Sequence, residues 1–125
     1  PQHSAQAYKK IWRHDGSPLI VLSRRLFKKV SNLMQIPVAL AMRYGSISIY
    51  NGLKELNDKG VDEFIILPLY PHYAMSSYET VVEKVKEEVK INFPEKKIKV
   101  IEPFYDEPKY IELLSQKIND TIKDI

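Results

Sequence analysis

Apolar residues recur at a helical interval in five stretches of the chain, and three shorter stretches between them read as strands. Residues 4–13 place Ala5, Tyr8, Ile11 and Trp12 on one side of a short amphipathic helix. Asp15-Gly16 breaks that pattern. Ser17-Pro18 restarts it, with serine in the N-cap position and proline at the first helical position. Leu22, Leu26, Val30 and Leu33 then keep the period to about residue 33. Ser48 caps a third helix with Ile49, Leu53 and Leu56 on its core face and Gly60 as its stop. A fourth runs from Ser77 to about Asn92 and turns Tyr78, Val81, Val82, Val85 and Val89 inward. Its other face is Lys and Glu, and Pro94 closes it. Asp106-Glu107-Pro108 opens a last helix, with Ile111, Leu114, Ile118 and Ile122 inward.

The predicted strands fall at residues 36–42, 61–67 and 98–104. The first is apolar without a break, which predicts a strand buried on both faces. Helices alternating with such strands predict an α/β fold, a three-layer Rossmann-like lobe whose parallel sheet is flanked by helices. Three strands are thin for such a sheet, and the last element is a helix where another strand is expected. The expectation is therefore one α/β lobe over residues 1–125, incomplete at both ends and part of a larger α/β protein. No repeat, low-complexity segment or linker interrupts it.

Composition narrows the chemistry. The chain has no cysteine, so it supplies no disulfide, no thiolate nucleophile and no thiolate ligand to a metal or cluster. The net charge of +3 is mild and its signs are interspersed, which argues against nucleic-acid binding. One local stripe, Arg24, Arg25, Lys28 and Lys29, lies on a single helix face. It suits a solvated surface, and it also suits an anionic lipid or an acidic partner. No apolar run approaches the roughly 20 residues of a membrane span, and no signal peptide is visible. The expected location is the cytoplasm, peripheral to the membrane.

The candidate chemistry gathers at residues 64–80. A strand ends in Pro68-Leu69-Tyr70-Pro71-His72-Tyr73, where two prolines fix φ and remove backbone donors, so pairing stops. In open α/β sheets ligands bind beyond the carboxyl ends of the strands. Those ends carry Met42-Arg43-Tyr44, residues 70–77, and Glu102-Pro103-Phe104-Tyr105. Several rings and a guanidinium suit a flat, largely apolar ligand with carboxylate arms. Each residue also has a structural role open to it. Ser76 and Glu79 have the spacing of a capping box. Ser17 can cap a helix, and Arg43 can pair with Glu55 or Glu102. Tyr44, Tyr70 and Tyr73 can be core or rim aromatics, and His72 a packed turn residue. His3, His14 and His72 lack metal-ligand spacing, and no phosphate loop, nucleophile elbow or paired-carboxylate motif is present.

Several blocks together resemble the ferrochelatase family. Residues 67–73, LPLYPHY, followed by Ser76-Ser77, resemble its LPLYPQYS-x-ST signature. Gly16-Ser17-Pro18-Leu19 resembles G-G-S-P-L, residues 37–45 resemble P-V-A-L-G-M-R-Y-G, and Ser46-x-Ser48-Ile49 resembles G-N-P-S-I. The blocks keep the family's order and approximate spacing from about Tyr8 to Asp120. The resemblance implies a metal-inserting lyase that places ferrous iron in protoporphyrin IX, forming protohaem in the last step of haem biosynthesis. It implies two similar lobes with the porphyrin between them, of which this chain is most of the first.

On that likeness the porphyrin contacts are Tyr8, Ser17, Arg43, Tyr44 and Ser76, and His72 in the stiff turn joins them as a candidate. The resemblance puts the family's metal-site histidine and glutamate beyond this sequence, so residues 1–125 alone are expected to be inactive. Ala74 departs from the first serine of the signature. Met75 stands where some relatives place a cluster-ligating cysteine, so no iron–sulfur ligand is supplied here and no organic cofactor is expected. Partners implied are protoporphyrin, ferrous iron and the second lobe. The competing readings are a non-catalytic α/β binding module and a chelatase for another tetrapyrrole or metal.

Overall fold

The computed structural model describes residues 2–123. Two compact units divide the chain, Pro1–Val61 and Asp62–Ile125. The first holds helices α1 (Gln2–Ile11), α2 (Pro18–Leu33) and α3 (Ile49–Asp58). Between α1 and α2 the chain turns tightly. Arg13 and Gly16 exchange backbone hydrogen bonds of 3.0 and 3.1 Å, and Gly16 sits at φ 117, where a side chain would be strained. Asp15 pairs with Arg13 at 3.1 Å and with Arg25 at 3.7 Å across the same turn.

The helical periodicity holds in α2, but its apolar stripe is not a core. Leu22, Leu26, Val30 and Leu33 remain 36–83% exposed. An apolar stripe is buried only if another element covers it, and among the described residues of this unit none does. The same applies to Tyr8, Ile11 and Trp12.

The strand expected at residues 36–42 does not form. The segment's one ladder contact is a parallel bridge between Met42 and Ser48, with the Met42 N–H donating to the Ile47 carbonyl at 2.7 Å. Ile36 is 54% exposed, so burial on both faces fails as well. A strand needs a neighbour to pair with, and Pro37 has no N–H to offer one.

That segment still has a packing role, because α3 lies against it. A Cβ on Gly52 would come within 3.2 Å of Ala41 Cβ and 3.5 Å of the Leu40 carbonyl. A glycine in mid-helix, normally unfavourable, allows the close approach. Ile49 and Leu53 are buried on the same helix. Its start is capped as expected, the Ser48 side chain accepting from the Asn51 N–H at 3.1 Å. Gly60, at φ 76, follows its last turn. Replacing the cap by alanine is expected to cost about 1 kcal/mol. Denaturant unfolding of Ser48→Ala, with Ser46→Ala as an uncapped control, checks this.

The second unit holds a parallel two-stranded sheet. Strand β1 (Glu63–Ile66) pairs with β2 (Lys97–Val100) in the register Phe64 to Ile98 and Ile66 to Val100. Helix α4 (Thr80–Asn92) connects them and α5 (Pro108–Lys123) follows. A parallel pair needs such a crossover. Both strands are shorter than their apolar runs, and β1 is buried on one side only. Phe64 is fully buried, whereas Ile65 and Leu67 are 53% and 54% exposed. Tyr78, Val82, Val85, Val89 and Phe93 complete this core, and Phe93 meets Phe64 edge to face, centroids 5.8 Å apart. Val81 is only partly buried. Lys84 pairs with Glu87 and Glu88, each at 2.9 Å, along the exposed side of α4. On α5 the expected inward stripe, Ile111, Leu114, Ile118 and Ile122, is 44–59% exposed for the same reason as in α2.

Candidate functional site

The aromatic turn after β1 leads into one turn of π-helix, Met75–Glu79, before α4 begins. Its N-cap position is held by Ala74, whose carbonyl accepts from the N–H groups of Ser77 and Glu79, each at 3.2 Å. The capping box expected of Ser76 and Glu79 is therefore not made. Ser76 lies inside the turn with an exposed side chain. A serine already past the N-cap has no orphan N–H three residues on to accept from.

Around this turn the ends of β1 and β2 meet. His72 stacks on Tyr105, ring centroids 6.0 Å apart and planes 18° from parallel. Tyr73 tilts against Tyr78 at 5.9 Å. The Tyr78 hydroxyl donates to the Ile101 carbonyl at 2.9 Å, and the Ile101 N–H donates to the Ile66 carbonyl at 2.9 Å, one residue beyond the strand. A hydrogen bond to Glu79 holds the Tyr73 hydroxyl above its ordinary titration range. Burial, and then the nearby carboxylates of Glu102 and Glu79, push Tyr78 up as well.

Tyr78 has a consequence for stability. Its folded state favours the protonated hydroxyl, so its contribution is complete below the ordinary value of 10.0 and falls as pH rises through the raised one. Unfolding free energy is expected to decline above pH 10, and Tyr78→Phe to flatten that decline. Denaturation at pH 9 and at pH 11 reads both.

In the first unit Arg43 and Tyr44 come together. The Arg43 guanidinium carbon lies 4.7 Å from the centroid of the Tyr44 ring, which is itself 77% exposed. Arg43 Nε is buried without a hydrogen-bond partner. The expected alternative of an ion pair to Glu55 does not occur, because Glu55 holds Lys59 at 2.7 Å. Glu102 belongs to the second unit. Ser17 occupies the N-cap position of α2, but its side chain makes no cap hydrogen bond, so its hydroxyl is free for another partner. Tyr8 is 61% exposed on α1. The basic stripe of α2 divides. Arg25 serves Asp15, while Arg24 and Lys28 line an open cavity of about 740 Å³ with Ile36, Pro37 and Val38.

The helical period puts Tyr78 among valines on a core face but does not reveal its polar tie. The signal was available, since a buried tyrosine must find a partner for its hydroxyl. Among the described residues no group of three or more His, Asp or Glu could hold a metal ion.

Comparison with known proteins gives this arrangement its context. The family model described as Ferrochelatase matches residues 1–125. The chain belongs to the ferrochelatase family. The ferrochelatase of Opitutus terrae is 47% identical over 114 residues, which cover 90% of this chain and 33% of that protein. That of Stutzerimonas stutzeri is 42% identical over 115 residues, 91% of this chain and 34% of the other. A Pseudomonas fluorescens ferrochelatase is 47% identical with the same coverage. The chain thus spans about a third of the length of the curated ferrochelatases it matches.

Proposed function

We propose that this chain is the porphyrin-contacting lobe of an enzyme that inserts ferrous iron into protoporphyrin IX to form protohaem. The observation that carries the reading is Arg43. A guanidinium mounted at the end of the segment α3 packs against, with no ion pair among the described residues, suits a carboxylate. A propionate arm of a porphyrin is such a group. Tyr44 lies beneath the guanidinium and would flank the same arm. In the first unit Ser17 offers a hydroxyl and Tyr8 a flat face to a porphyrin; in the second Ser76 and His72 offer the same two kinds of group. Iron and porphyrin are substrates, and no organic cofactor or cluster is required of this chain. The metal site and the base that removes the pyrrole protons fall to the rest of the protein. Membrane contact, at the cytoplasmic face, would use Arg24, Lys28 and Lys29.

This division of labour is testable on the two lengths of protein. The natural-length protein is expected to quench on titration with protoporphyrin and to turn it over. Residues 1–125 alone are expected to form metalloporphyrin from protoporphyrin and zinc no faster than a protein-free control. Turnover by residues 1–125 well above that control would overturn the assignment of the metal site to the rest of the protein.

A further inference from the structure

We propose that Tyr78 is a positioning residue that straps the two segments beyond the sheet together and so fixes the aromatic turn as a ligand surface; this rests on the porphyrin reading above. The two strands end at Ile66 and Val100, and one further ladder bond, from the Ile101 N–H to the Ile66 carbonyl, follows. Tyr78 supplies a second hold. Its ring meets Tyr73 of the first segment and its hydroxyl bonds the Ile101 carbonyl of the second. The His72–Tyr105 stack joins the same two segments further out. Tyr78 is 5% exposed, so a ligand on the surface of the turn would meet the residues it holds rather than Tyr78 itself.

The π-turn makes this placement. Dropping one residue from the turn to give an ordinary α-helical start would rotate the following side chains by roughly 100°. Tyr78 would then leave the Ile101 carbonyl, and Ser76 would change face. Single π-turns recur at functional sites because they re-aim side chains in this way. A residue that only filled the core at this position could as well be valine, like its neighbours Val82 and Val85.

The test uses Tyr78→Phe in the natural-length protein, since phenylalanine keeps the ring and removes the strap. Hydrogen exchange at the amides of residues 70, 72 and 73, measured without porphyrin, is expected to rise about fivefold. Protoporphyrin affinity per folded molecule, from fluorescence titration, is expected to fall by about the same factor. Tyr105→Leu, which removes the stack, should make the strap's loss smaller in the double variant than in isolation, because both ties hold one loop. Unchanged exchange with unchanged affinity, alongside a lowered melting temperature, would reduce Tyr78 to a core residue and overturn the proposal alone. Multiplicative effects of the two variants would also overturn it. If the wild-type protein binds no protoporphyrin while exchange in Tyr78→Phe still rises, the porphyrin reading fails and takes the ligand role of the strap with it.

Discussion

Phe64→Ala is expected to lower the stability of the natural-length protein by about 3–5 kcal/mol, the cost of emptying a fully buried phenylalanine site. Phe64 has no exposed surface, and its ring is packed edge to face with Phe93. The loss has two sources, the transfer of a ring to water and a cavity that strand and helix cannot close. Single domains commonly have only about 5–15 kcal/mol in hand, so much of the stability would go. Ile65 provides the contrast, being next in the strand but 53% exposed on the other side. Ile65→Ala should cost about 1 kcal/mol or less. Denaturant unfolding of both variants, with the slope unchanged, reads the difference. Equal losses would mean that the one-sided core is wrongly drawn.

Arg43→Ala is expected to weaken protoporphyrin binding by about 10- to 150-fold, the worth of a charge-assisted hydrogen bond of roughly 1.5–3 kcal/mol. Little stability should be lost with it. Arg43 makes no ion pair with Glu55, and its contact with Tyr44 is an exposed cation–π pair, worth about 0.5–1 kcal/mol. Arg43→Lys should recover only part of the affinity, since an ammonium cannot reproduce the planar fork. Affinity and melting temperature taken from the same preparation separate the two roles. A lowered melting temperature with unchanged affinity would make Arg43 a brace for its own segment.

Much of this was legible in the sequence because it is written locally. Ser48 and Gly60 mark the ends of α3, Pro18 and Pro108 open their helices, and Val82, Val85 and Val89 of α4 fall on one buried face. The parallel pairing of two strands also follows from a strand–helix–strand pattern. What the pattern could not provide was coverage. The stripe of α2, the stripe of α5 and the run at 36–42 have the right spacing, yet burial depends on what lies opposite, which no local period records. The π-turn was hidden for another reason. Ser76 and Glu79 have the spacing of a cap, and only the backbone shows that Ala74 has already taken that position. Arg43 meets Tyr44 within the first unit and His72 meets Tyr105 within the second, whereas the bond from the Tyr78 hydroxyl to Ile101 has no counterpart in the local pattern.

The proposed insertion of ferrous iron is read by anaerobic incubation of the natural-length protein with ferrous iron and protoporphyrin IX. Absorbance follows the loss of free porphyrin and the appearance of protohaem. Catalytic turnover is expected, slowed by Arg43→Ala at limiting porphyrin and partly restored by added porphyrin. No protohaem above the protein-free rate, from folded protein with both substrates present, would contradict it.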